Sequence, residues 1–166
     1  MKKIRWLFFF LFLFALLGFA RDYFFVHLNN ILYIKYYGHS TNMAVPASMR
    51  YFLGFSYETL YYIKYPFTLI CTFMYFSISY FLIRKIAATP FFNKILVYSY
   101  ILITMLAVFS QLYGYLTHNR LTDDEYTLSR WLMGILQSPI ICLILVASER
   151  LYVRTVSDEH GNKGHV

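Results

Sequence analysis

An all-α, polytopic membrane protein, built as a four-helix transmembrane bundle with both termini in the cytoplasm (N-in/C-in), is the fold class predicted by this 166-residue sequence. Three observations predict it. The composition is 59% hydrophobic and only 14% charged, well outside the range of a soluble domain of this size. Four apolar runs, centred on residues 6–20, 65–83, 95–115 and 128–147, approach or reach the ~20 residues a helix needs to cross a hydrocarbon core. Lys and Arg crowd alternate connections. The aromatic excess, 17 Tyr and 17 Phe, is equally expected of an AT-rich coding bias, so by itself it identifies no cofactor or nucleic-acid site.

The first span, about 4–26 with its flanks, is short in its apolar core, but "RDYFFVHL" continues it after a single Arg-Asp pair. The helix is therefore expected to run on past the membrane surface. The competing reading is a secretory signal, with "MKKIR" as its basic start and Gly18-Phe19-Ala20 as its cleavage site. Three further spans follow, which favours an uncleaved anchor.

Residues 27–59 form the one sizeable extracytoplasmic loop. Its section "YGHSTNMAVPASMRYFLGFSYETL" is too polar to span and too aromatic to float free in water. An interfacial segment with a short helix near residues 47–55 is expected there. The second helix can begin as early as Tyr57, capped by Ser56 and mildly kinked at Pro66.

The second span (about 60–86) and third span (about 94–115) are joined by a short loop with Arg84, Lys85 and Lys94. The fourth is about 128–150, and the transmembrane domain closes near residue 155. Positive charge beside a span is retained in the cytoplasm. Lys2, Lys3 and Arg5, the second loop, and Arg150, Arg154 and Lys163 therefore mark the inside, whereas the third loop "LTHNRLTDDEYT" is acidic and marks the outside. The tail, residues 156–166, is polar and turn-rich and is expected to be disordered in the cytoplasm. Its two histidines do not make a metal site. The net charge of +7 is explained by this bias and by anionic headgroups, with no nucleic-acid partner required.

Cys71 and Cys142 enter their spans at different depths, about 9 Å and 21 Å from the same face at 1.5 Å per residue. A disulfide, which needs Cα atoms within ~7 Å, is therefore not expected. No histidine lies in a span to activate either thiol, so both read as small buried hydrophobes. There is no internal repeat, glycosylation sequon or phosphate-binding glycine loop, and no cofactor is expected.

The polar residues inside the spans carry more information, because lipid is a costly place for them. Thr68, Thr72, Tyr75 and Ser79 share one helical face; Thr104, Ala107, Gln111 and Gly114 share another; Arg130, Gly134 and Gln137 share a third. Each reads either as interhelical glue or as part of a site. Arg21, Asp22, Arg50, Glu58, Gln111, Arg130 and Gln137 converge at the outer end as a binding or structural polar cluster. Arg130, near the end of its span, either snorkels to the interface or, as expected first, pairs with Asp22 or Glu58 and with the Gln111 carbonyl, since a guanidinium has five donors to satisfy. Gln137 lies about 10 Å deeper and must bond across helices. Pro139 removes a helix hydrogen bond and is expected to kink the fourth span, freeing a carbonyl.

"LLGFARDYFF" at the end of the first span and "SRWLMGILQSP" at the start of the last resemble the exosortase F system-associated family of Bacteroidetes. That family shows Arg-Phe-Leu followed by Gln-Pro in its final span. Arg130, Trp131, Leu132, Gln137 and Pro139 match, with the Arg-to-Gln spacing longer by about one turn and Ser138 before the proline. The resemblance implies a non-catalytic accessory or scaffold in the bacterial inner membrane, with lipid around it and another integral membrane protein, such as an exosortase, as partner. The alternative is a binding or transport module in which Arg130, Arg21 and Arg50 hold an anionic lipid headgroup or small anion at the extracytoplasmic face. The resemblance does not imply transpeptidase activity itself, because Cys71 lacks the histidine partner such enzymes use; a third class is a small intramembrane enzyme with Glu58 or Asp22 as base.

Overall fold

The computed structural model describes residues 2–38, 45–87, 90–118 and 127–162. All regular structure among them is helical: α1 (Lys2–Tyr37), a 3-10 segment (Ala47–Gly54), α2 (Tyr57–Ile86), α3 (Phe91–His118), α4 (Thr127–Leu136) and α5 (Ile140–Asn162). Three of these, α1, α2 and α3, are long and apolar enough to cross a membrane, and the α4–α5 pair passes the same test as one span bent by 55°. The chain is thus a helical bundle of multi-pass character.

The first helix has 36 residues, about 54 Å at 1.5 Å per residue, against a hydrocarbon core of ~30 Å. It continues well past the expected end at residue 26. Gly38, at φ 66°, stops it, and its N–H closes back on the Ile34 carbonyl at 3.1 Å, a left-handed cap that only glycine adopts without strain. α2 starts at Tyr57, with the Ser56 side chain accepting from the Thr59 N–H at 3.3 Å. It passes through Pro66 as one helix.

α1 and α2 run antiparallel along their length. Lys85 lies over Trp6, Tyr75 stacks on Phe14, Phe67 on Phe24, and Tyr57 meets Tyr36. The Tyr75 hydroxyl would stand 3.2 Å from a side-chain carbon at position 18, so the lack of a side chain at Gly18 leaves room for that hydroxyl against α1. The 3-10 segment folds back onto them. Met49 is buried, the Tyr23 and Ser48 hydroxyls are 2.8 Å apart, and the Lys35 ammonium donates to the Leu53 carbonyl.

Two apolar clusters result. One, near the chain termini, draws on α1, α2, α3, α4 and α5: Phe10, Phe14, Tyr75, Leu82, Leu96, Leu136 and Cys142 are among its buried members. The other is built by α1, the 3-10 segment and α2 alone: Leu28, Ile31, Leu32, Met49 and Leu60. The α1–α2 hairpin therefore carries its own small core away from the five-helix cluster. The first loop of the sequence reading is largely this hairpin, and the helix expected near residues 47–55 is the 3-10 segment.

Two sequence expectations change. The run expected as a fourth span is two helices that part at Pro139, which has no N–H to continue the ladder. The tail expected to be disordered from residue 156 instead continues α5 to Asn162, while 163–166 lie outside the described residues. The acidic third loop, including Asp123 and Asp124, also lies outside them, apart from Leu116, Thr117, His118 and Thr127 at its ends.

Candidate functional site: a polar tie at the helix break

The break between α4 and α5 leaves backbone carbonyls without their usual partners, and those of Ile135, Leu136 and Gln137 find side-chain donors. Pro139 withholds the N–H that would serve Ile135, so the Ser138 hydroxyl and N–H donate there at 2.7 and 3.2 Å. The Leu136 carbonyl accepts from the Tyr100 hydroxyl at 3.2 Å. The Gln137 carbonyl accepts from Arg21 Nη1 at 3.2 Å. The N–H of Ile140 is capped by Ser138 Oγ at 3.4 Å. An open helix end inside a membrane costs several kcal/mol for each unsatisfied group, so these bonds offset part of the cost of the bend.

Gln137 is the hub. Its side-chain amide donates to the Thr68 carbonyl and to Thr72 Oγ1, both at 3.0 Å, while its Oε1 faces Arg21 Nη1 at 3.5 Å. Arg21 in turn places Nε and Nη2 on Asp22 Oδ1 at 2.9 and 2.6 Å. One connected set thus runs from α1 through the break to α2. It lies between the two apolar clusters along both α1 and α2, with Phe14 and Tyr75 on one side and Leu28 and Leu60 on the other.

Of the residues singled out from sequence, the structure brings together Arg21, Asp22 and Gln137. It does not bring Arg130 to them. Arg130 is exposed and has no hydrogen bond or ion pair among the described residues, so its expected pairing with Asp22, Glu58 or Gln111 is corrected. Asp22 is held by Arg21, and Gln111 Oε1 accepts from the Ser129 hydroxyl at 2.9 Å. Arg50 sits exposed on the 3-10 segment and Glu58 in the exposed first turn of α2.

The reason lies in the faces of α4. Ser129, Leu132, Met133 and Leu136 follow an i, i+3, i+4, i+7 pattern and turn inward, with Leu136 fully buried. Arg130, Trp131 and Gly134 therefore turn outward. Gln137 is buried because the helix ends there, not because it continues the Arg130 face. On α2 the expected seam does point inward, with Thr72, Tyr75 and Ser79 all buried.

Glu149 was missed. It is buried on α5, its carboxylate 4.0 Å from Arg150 Nε, and its spacing from the buried Cys142 and Leu145 is the signal that could have found it. Ser79 Oγ and Asn93 Oδ1 are buried atoms without a hydrogen-bond partner among the described residues. Ser79 lies beside the Tyr100 and Cys142 side chains. Cys71 and Cys142 are free and buried, and the Cys142 thiol points at the Ser79 carbonyl at 3.9 Å. Among the described residues no three His, Cys, Asp or Glu side chains gather closely enough to hold a metal. No family model, curated protein or solved structure matches the chain.

Proposed function

We propose that the chain is a non-catalytic accessory or scaffold protein of a bacterial inner membrane, standing N-in/C-in with four spans and working beside an exosortase-type envelope sorting enzyme. The observation that carries the non-catalytic part is the bonded set at the break: Gln137 joins Arg21 of α1 to Thr68 and Thr72 of α2, and Asp22 is held by Arg21. An acid, base or nucleophile has to be kept free to meet a substrate, whereas Arg21, Thr68 and Thr72 are tied to one another through Gln137. The scaffold part is supported by the α1–α2 hairpin, whose separate core carries exposed Tyr36, Tyr51, Tyr57 and Tyr62, amphipathic rings of the kind enriched at protein interfaces. The sorting-system part rests on the resemblance around Arg130 and Pro139.

The test is photocrosslinking in native membranes, with a photoreactive phenylalanine analogue placed at Tyr36, at Tyr51 and, as a control on the lipid-facing bundle surface, at Phe73. The scaffold reading expects adducts to one polytopic sorting enzyme from Tyr36 and Tyr51 but not from Phe73. Adducts to lipid alone at every position, together with a purified chain that carries no second protein, would remove it.

A further inference from the structure

Arg130, turned away from the polar tie, is not idle in shape. With Trp131, Gly134, Ile135 and Ile140 it lines an open groove of about 330 Å³ in the elbow where α4 meets α5. Gly134 leaves the groove its depth, since a side-chain carbon there would meet nothing within 4 Å. The lining is one cation followed by apolar surface, and exposed Ile140 and Ile144 continue that surface along α5. Trp131 is 74% exposed beside Arg130, and an arginine next to a tryptophan at the start of a span is the pairing found at the headgroup level.

We propose that this groove seats one anionic phospholipid, its phosphate on the Arg130 guanidinium and an acyl chain along Gly134, Ile135 and Ile140. Charge complementarity selects the occupant. Arg130 meets no acidic side chain among the described residues, whereas Arg21 already has both Asp22 and Gln137. The groove opens sideways from a membrane-spanning pair, where lipid is the surrounding medium, and a planar guanidinium matches a phosphate in two-point geometry. The inference is independent of the scaffold reading, because it concerns what the elbow binds and not what the hairpin touches.

Bromolipid quenching tests it on the full chain. The protein has two tryptophans, so Trp6→Phe leaves Trp131 as the only reporter. In phosphatidylcholine vesicles doped with brominated phosphatidylglycerol or, separately, brominated phosphatidylcholine, the quenching curves give the relative affinity of the elbow for each lipid. The expected preference for the glycerol lipid is about fivefold, the equivalent of ~1 kcal/mol for one basic residue at an anionic surface. Arg130→Gln abolishes that preference and Arg130→Lys keeps part of it. Gly134→Leu, which has space on the protein side, removes it with the arginine intact. Three results would each overturn the proposal: equal quenching by both lipids in the parent, a preference that survives Arg130→Gln or Gly134→Leu, or no quenching by either lipid, which would mean that a second copy or another protein covers the elbow.

Discussion

Two arginines illustrate how a single residue's role follows from its surroundings. Arg21 is part-buried and spreads its donors over Asp22 Oδ1, the Gln137 carbonyl and Gln137 Oε1; Arg130 is exposed and has none of these. In a detergent-micelle unfolding titration Arg21→Leu is expected to cost about 1–3 kcal/mol, since it leaves buried acceptors unmet. Arg130→Leu is expected to stay within ~0.5 kcal/mol, as surface changes usually do. The reverse order would mean that Arg130 is an interior residue after all. Gln137→Leu and Thr72→Val break the same bond, so their effects should not add. A coupling of about 0.5–1.5 kcal/mol is expected, in keeping with interhelical hydrogen bonds in membranes, and strict additivity would argue against the 3.0 Å contact between them. Cys71 and Cys142, free and buried, should resist a thiol reagent until the protein is unfolded in SDS.

At the scale of an element, the two prolines inside the spans behave differently. α2 runs through Pro66 without interruption, whereas Pro139 separates α4 from α5 at 55°. At Pro139 the freed carbonyls meet donors from other elements. At the α4–α5 elbow Ser138, Tyr100 and Arg21 each supply a donor, so the open end is stabilised from outside the helix as well as imposed from within it. It follows that Pro139→Ala alone should leave the bend nearly intact, because the restored N–H competes with bonds already made. Adding Tyr100→Phe should relax it. Spin labels at exposed Leu128 and Tyr152 in a cysteine-free background would read this as a small distance change for the single variant and a clear lengthening for the double. Full straightening by Pro139→Ala alone would place the cause of the bend wholly in the proline.

For the whole molecule, the α1–α2 hairpin and the five-helix cluster rest on different forces. In lipid, helices gain little from hiding apolar surface and depend on close packing and interhelical bonds, which is where Gly18, Tyr75, Ser79 and Gln137 sit. Where the hairpin stands clear of the hydrocarbon, burial of Leu28, Ile31, Met49 and Leu60 stabilises it by the ordinary hydrophobic effect. Orientation is open to direct measurement. With single cysteines in a cysteine-free chain, an impermeant thiol reagent should label positions in 119–127 from outside and positions near Asn93 only after the cells are opened. The opposite pattern would turn the polar tie and the elbow groove toward the cytoplasm. How much of this was legible in the sequence depended on whether the signal was local. The Ser56 cap, the start of α2 at Tyr57, the short helix after Pro46, the inward seam on α2 and a bend at Pro139, though not its division of the helix in two, are written in spacings and capping chemistry of a few residues each, so the sequence alone determined them. The run of α1 to Tyr37 was expected in kind but not in extent, because Arg21 and Asp22 look like a membrane boundary until a partner for them is known. Which arginine faces the interior was decided only by tertiary structure. Arg130, Gly134 and Gln137 share a helical spacing, yet so do Ser129, Leu132, Met133 and Leu136, and periodicity does not say which face turns toward α3. Packing chose the second, the helix ended before the two faces could be reconciled, and the interior position beside Gln137 fell to Arg21, 116 residues away in the chain.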